Sequence, residues 1–246
     1  MGNKNKSVPK AALTVVFVVM MLLGVLPGMK AEVRAGEIFD ATNLPGSGEV
    51  KLGADIELAK NWTFSGDASL DLNGHKLDLK GYKIKIFGGN FTLKDSGSGR
   101  HYYYIDSDGL AHVVDNEEDS NYQSAETSKK GSFEGGYITG NVDSTANYFG
   151  GAIHINGEEV NFTMDKGTII GNRAGSGKYG GGIDIDEKIK KFTMNGGAII
   201  GNVSAQGGGG IYFYSAEDFI RTPTIGSTTV TMWMAMIHID TLSGYL

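Results

Sequence analysis

There is no cysteine anywhere in the chain, which removes disulfides, thiolate metal sites and cysteine nucleophiles together. No stretch repeats apolar residues at a spacing of 3.6, so helices are not expected to build the molecule. Positive charge is also scarce. The chain carries a net charge of −6, and five of its 22 basic residues but only one of its 28 acidic residues precede Gly36, leaving the remainder near −10. A surface of that sign neutralises no phosphates, which excludes nucleic acid and anionic membranes as partners and favours cations or neutral glycans. The longest apolar run, Ala11 to Leu26, has about 16 residues, short of a membrane span.

That run reads as part of a leader. Lys4, Lys6 and Lys10 make a basic start, Ala11 to Leu26 an apolar middle, and Val33-Arg34-Ala35 a small-residue cleavage site, so residues 1–35 are read as a signal peptide. A retained membrane anchor is the alternative. Cleavage would leave a secreted or surface-displayed chain of about 210 residues without a membrane span, long enough to bury a core without cross-links.

Glycine is abundant, at 38 residues, and periodic. Asn161 to Lys191, NFTMDKGTIIGNRAGSGKYGGGIDIDEKIKK, has near copies on both sides: FEGGYITGN with FGGAIHI before it, FTMNGGAIIGN with GGGGIYF after it. The copies align in columns about 30 residues apart: Phe133, Met164 and Met194; Ile138, Ile169 and Ile199; Asn141, Asn172 and Asn202; Ile153, Ile183 and Ile211. Only the segment between each Asn and the next glycines changes length, so it reads as a loop and the constant segments as strands. FTM, TII and GGIDI are short, β-branched or aromatic, and separated by Gly, which predicts three strands per repeat. One such unit cannot bury its apolar positions. Units must stack, each strand pairing with its equivalent, which predicts an all-β parallel solenoid.

Alternation assigns faces. The isoleucines of IHI, IDI and IYF point inward, while His154, Asp184 and Tyr212 should occupy successive rungs of an exposed sheet, extended by Tyr214. These four form the candidate ligand-binding patch, with tyrosines able to stack on sugar rings; ordinary strand residues are the alternative reading. Ile170 and Ile200 point outward, which predicts cover by a loop or a partner. Asn141, Asn172 and Asn202 are read as a structural ladder, amide to amide; the other reading is a Gly-Asn turn dipeptide.

FTMNGGAIIGN with its GGGI partner resembles the Gly-Asn repeats of right-handed parallel β-helix proteins, the pectate-lyase-like superfamily, and is most similar to the adhesin-like secreted or surface proteins of Gram-positive bacteria. The resemblance covers Gly131 to Phe213, and LDLNGHKLDLKG with GGNFTLKDSGSG resembles the opening coils of the same proteins. It implies a right-handed coil, in keeping with the bias of parallel crossovers. It also implies a non-enzymatic binder of glycans or of host or bacterial surface components. The superfamily equally hosts polysaccharide lyases and hydrolases, the alternative function. Their chemistry needs clustered carboxylates with a basic residue or calcium on one exposed sheet. Only Asp184 and Asp186 are expected on such a face, with no Arg or Lys column beside them, and no catalytic residue is assigned.

Five segments follow. Residues 1–35 are the leader, 36–95 the first β-helix coils, 96–130 a hairpin and polar loop, 131–214 the repeats, and 215–246 a degenerate or non-native tail. In 36–95, Leu70, Leu72, Leu77 and Leu79 are expected inward, and His75 at the Asn73-Gly74 bend is read as structural. In 96–130, HYYYIDSDGLAHVVD predicts a hairpin turning at Asp108-Gly109, followed by a polar loop; such excursions commonly carry binding in the family it resembles. Asp106 and Asp108, with Asp115, Glu117, Glu118 and Asp119, are the candidate calcium ligands, although DSDG lacks the EF-hand's third ligand and closing Glu; no other cofactor is expected. Constant spacing would place Thr222, Ser227 and Val230 in the Met, Ile and Asn columns, where none fits, so the tail is read as a cap or as the end of a fragment, with a shifted frame as one cause.

Overall fold

The computed structural model describes residues 36–142, 150–186 and 189–214, together with the backbone of residues 224–225, 232–233 and 238–239. They belong to a unit spanning Ala35–Leu246. The leader expected over 1–35 lies outside the described residues.

The chain visits three sheets in rotation. β1 (Gly36–Ile38) and β2 (Gly48–Leu52) lie in the first sheet, β3 (Ile56–Glu57) in the second and β4 (Trp62–Phe64) in the third. The order then repeats through β5 (Ala68–Asp71), β6 (Lys76–Asp78), β7 (Ile84–Ile86) and, again in the first sheet, β8 (Asn90–Lys94). Here the rotation is interrupted. β9 (Arg100–Ile105), β10 (Ala111–Val114), helix α1 (Ser120–Ser124), a 3-10 turn at Thr127–Lys129 and β11 (Lys130–Glu134) form a separate antiparallel layer, in the order β10-β9-β11.

Rotation resumes with β12 (Tyr137–Thr139) in the second sheet, β13 (Ile153–Ile155) in the third and β14 (Asn161–Met164) in the first. It continues through β15 (Thr168–Ile170), β17 (Ile183–Ile185), β18 (Lys191–Met194), β19 (Ala198–Ile200) and β21 (Ile211–Phe213). The short β16 (Arg173–Ala174) and β20 (Val203–Ser204) pair with each other. Among the described residues all pairings within the three rotating sheets are parallel, and the expected all-β architecture stands.

Register places like on like. Phe162 pairs with Phe192, Thr163 with Thr193, Ile169 with Ile199 and Ile153 with Ile183. The apolar partners are fully or almost fully buried, as are Leu70, Leu72, Leu77 and Leu79. At roughly 1.5 to 3 kcal/mol for each such side chain, these columns supply the drive for stacking. Phe91, Phe162 and Phe192 stack at 5.8 and 5.2 Å with nearly parallel rings. Offset stacking of this kind adds to plain burial.

One column differs from expectation. Phe133 does not share the place of Met164 and Met194. It lies in β11, opposite His101 of β9, and Leu93 of β8 fills its expected place beneath Met164. The interrupting layer therefore runs through Glu134, four residues further than the sequence reading. Its polar stretch also contains α1, whose N-cap Asp119 accepts from the amides of Asn121 and Tyr122.

This layer supplies the cover that the outward isoleucines require. Ile170 and Ile200 are buried in a second cluster with Tyr103, Ile105, Ala111, Phe133 and Tyr137. Ala111 donates its amide to Gly201 O, and Arg173 pairs with Asp108 at 3.2 Å, fixing β10 to the bends that follow β15 and β19.

The tail continues the pairing. β22 (Thr224–Ile225), β23 (Met232–Trp233) and β24 (His238–Ile239) add to the first, second and third sheets. Ile225, not Thr222, stands in the Met column, and Met232, not Ser227, in the Ile column. Ile183 and Met194 are 11 positions apart but Ile211 and Ile225 are 14, and Met194 and Ile199 are five apart but Ile225 and Met232 seven, which is why constant spacing misplaced both. Val230, assigned to the Asn column, lies outside the described residues.

Candidate functional site

The outer face of the third sheet was the expected binding patch. Its register is as read: His154 pairs with Asp184, and Asp184 with Tyr212. Its exposure is not. His154, Asp184 and Tyr212 are 1%, 3% and 2% exposed, and only Tyr214, at 61%, is open to a ligand. His154 Nδ1 lies 3.2 Å from Asp184 Oδ2, and Tyr179 stacks on Tyr212 at 4.3 Å.

The glycines that precede each strand explain the burial. Gly180 has φ +59°, and a Cβ there would stand 2.7 Å from Asp184 Cα; Gly208, at φ +64°, would meet Tyr212 Cβ at 2.9 Å. Only a residue without a side chain lets the chain fold this closely over the outward positions. Asp184, the carboxylate on which an enzymatic reading rested, is therefore held against a histidine beneath backbone. Asp186 is half-buried.

The asparagines form a continuous hydrogen-bonded line. Asn202 Oδ1 accepts from the amide and the side chain of Asn172, both at 2.9 Å, and Asn172 Oδ1 accepts from the amide of Asn141 at 3.1 Å. Their Nδ2 groups donate to carbonyls of Gly151, Ile138, Ile170 and Ile169. Every buried amide thus has partners, as a polar group in an apolar core requires. His75 sits at its bend with Nδ1 3.4 Å from Asp55 Oδ1.

A cleft stands where the antiparallel layer ends on the second sheet. The outward residues of that sheet are apolar at Ile170 and Ile200, aromatic at Tyr137, then charged at Lys76, Asp78 and Glu57. The layer covers the apolar part and stops where the polar part begins. The step so formed encloses about 370 Å³, lined by Lys76, Asp78 and Tyr137 from the sheet and by His101, His112 and Asp115 from the layer. A second, more acidic depression of about 540 Å³ adjoins it, sharing Val113, Val114 and Asp115 and adding Glu118 and Asp119. Both volumes fall in the range of ligand clefts, roughly 300 to 1,000 Å³.

Electrostatics single out two rings in the cleft. Burial, reinforced by the carboxylates of Asp55, Asp115 and Asp78, pushes the Tyr137 hydroxyl up to about 12. Burial lowers His101 from its ordinary value against the opposing pull of Asp55 and Asp95, so the imidazole is neutral at neutral pH. His101 stacks on Phe133 at 5.3 Å and meets Tyr137 edge-on at 4.8 Å. Its Nε2 is buried and has no hydrogen-bond partner. Of the side chains lining the two depressions, the sequence had singled out Asp115, Glu118 and Asp119 as calcium candidates but not Lys76, Asp78, His101, His112 or Tyr137, although a lone outward Tyr in the strand GYIT and a His at the foot of the hairpin were signals.

Two of the calcium candidates, Asp106 and Asp108, have other work. Asp106 accepts from the amides of Asp108 and Leu110 and from His112 at 2.8 Å; against the upward pull of partial burial, these bonds hold its carboxyl below the usual range. Asp108 pairs with Arg173. Among the described residues no three His, Asp or Glu side chains are grouped as a metal ion would require, and no helix is long and apolar enough to cross a membrane. Comparison with protein-family models, with curated proteins and with solved structures returned no match.

Proposed function

We propose that the chain is a right-handed parallel β-helix, secreted or displayed at a cell surface, that binds glycans or other surface components without altering them chemically. The rotation through three parallel sheets, the asparagine line and the resemblance of the Gly-Asn repeats support the coil. Right-handedness follows the bias of parallel crossovers. The observation that carries the function is the step cleft. The half-buried His101 and His112, the buried Tyr137 and the carboxylates of Asp78 and Asp115 line it, and its volume suits one or two sugar rings. The acidic surroundings disfavour phosphorylated partners.

The competing polysaccharide lyase or hydrolase has lost its best placed carboxylate, Asp184, to burial. A glycan array probed with the wild-type chain and with Tyr137→Ala tests the proposal. Binding by the parent that the variant loses supports it. An array without a hit, or release of reducing or unsaturated ends from a polysaccharide substrate, overturns it.

A further inference from the structure

Asn-Gly occurs three times in the chain, at Asn73-Gly74, Asn156-Gly157 and Asn195-Gly196. The pair is chemically unstable in its own right. A glycine amide, unshielded by a side chain, can attack the side-chain carbonyl carbon of the preceding asparagine, provided that the amide can shed its proton and the carboxamide can turn toward it. The fold meets these conditions unequally. Gly74 donates its amide at 2.7 Å to Oδ1 of the buried Asp95, and Asn73 Nδ2 donates at 2.9 Å to Leu52 O, so nucleophile and target are both engaged. Asn195 Nδ2 donates to Asp165 Oδ1 at 2.7 Å and the Gly196 amide reaches Met164 O at 3.3 Å, a weaker restraint on an exposed residue. Among the described residues, neither the side chain of Asn156 nor the amide of Gly157 has a hydrogen-bond partner, and both residues are half-buried, within reach of water. Glycine is required at 157, because a Cβ there would strike Phe87 O.

We infer that Asn156 is a site of spontaneous deamidation and the first of the three pairs to convert. The Gly157 nitrogen gives up its proton to hydroxide and bonds to Asn156 Cγ. The bond from Cγ to the side-chain nitrogen then breaks, and that nitrogen leaves as ammonia after taking a proton from water. Water opens the resulting cyclic imide. Attack at Cγ leaves aspartate, and attack at the main-chain carbonyl carbon leaves isoaspartate, with the backbone running through Cγ. No oxidant or reductant takes part. The place of Asn156 in the fold makes either product disruptive. The amides of Phe87, Asn156, Asp186 and Tyr214 donate to Phe64 O, Ile86 O, Ile155 O and Ile185 O, so these four residues continue the rungs of the third sheet past its strands. A carboxylate at 156 stands one rung, about 4.8 Å, from Asp186, and like charges facing one another across strands oppose pairing. Isoaspartate also lengthens the backbone at the bend where Gly157 packs on Phe87 O. The rim between β13 and β14 therefore loosens as the protein ages, whatever the chain binds.

The test ages the purified full chain in mildly alkaline buffer made with heavy-oxygen water, once folded and once in denaturant, and follows the three peptides by mass spectrometry. In the folded chain the Asn156 peptide is expected to convert at least about tenfold faster than the Asn73 peptide, whose reaction must first break a hydrogen bond to a charged group. Asn195 should fall between them. Opening of the imide places heavy oxygen in the new carboxylate, and an isoaspartate methyltransferase should label the Asn156 peptide. In denaturant the three rates should converge, since each asparagine precedes a glycine. Asn156→Asp, which installs one product directly, should lower the thermal midpoint at neutral pH. Equal rates at Asn156 and Asn73 in the folded chain, the same ranking in folded and unfolded chains, or no conversion of Asn156 in the folded chain overturns the assignment. A midpoint for Asn156→Asp equal to that of the parent overturns the loosening of the rim.

Discussion

Asn172 is wholly buried and sits in the middle of its line, donating to two carbonyls and to Asn202 while accepting from Asn141. Asn172→Ala removes these bonds and strands several buried partners, each costing on the order of 1 to 3 kcal/mol. The expected loss is about 2 to 4 kcal/mol in chemical denaturation. Asn161→Ala breaks a similar side-chain bond to Asn90 in the open and should cost well under about 1 kcal/mol. Equal costs would show that burial is not what gives the inner line its weight. His101 makes a prediction about pH. Its folded value lies below the 6.5 of the unfolded imidazole, so as pH falls below 6.5 the unfolded state takes up the proton that the folded state refuses. Stability is then full above 6.5 and declines as pH falls toward the folded value. His101→Phe, which keeps the stack on Phe133, should lose less of its thermal midpoint than the parent between about pH 7 and pH 5.

Among the elements, the antiparallel layer is the part whose removal has the clearest signature. Replacing residues 100–134 by a short linker uncovers Ile170, Ile200 and Tyr137. The truncated chain should bind an apolar dye and self-associate, and Ile170→Thr with Ile200→Thr in that background should reverse both effects. Persistence of dye binding would place the exposed surface elsewhere. The need for this cover was legible in the sequence, because two isoleucines fell on outward positions. What would cover them was legible only up to the hairpin, since β11 looks like a repeat strand and its antiparallel pairing to β9 depends on contacts across some 30 residues. The third sheet went the other way. Alternation correctly gave the row His154, Asp184, Tyr212, but strand periodicity says which side a residue faces and nothing about what lies over it. The runs GGG and GGGG before the strands were the missed signal: a bend needs one glycine, and three or four in succession mark backbone lying against backbone. The step cleft was legible only as separate hints at Tyr137 and His101, because its walls come from strands distant in sequence.

At the scale of the whole molecule, each strand of the three parallel sheets pairs only with its neighbours in that sheet. Excising residues 162–191 brings Phe192 to the place of Phe162 above Phe91, and Asn202 to the place of Asn172 beside Asn141. The shortened chain should fold with the same circular dichroism and a lower midpoint, whereas excising 25 residues from the same point should give no cooperative transition. A cooperative fold after both excisions would mean that the register is not enforced. Hydrogen exchange in the intact chain should be slowest in β8, β14 and β18, which have partners on both sides and carry the phenylalanine stack.

Identical residues facing one another across rungs also bear on inheritance. Where codons repeat along with such rungs, unequal recombination between copies deletes or duplicates stretches of one period. A single-codon insertion within a strand turns the rest of that strand's inward residues outward, while gain or loss of a full period leaves each new junction looking like the old one. Lineages of this protein should therefore differ in length mainly by steps of about 30 residues, and the layer with its cleft, present once, should keep its size while the stack beneath it grows or shrinks.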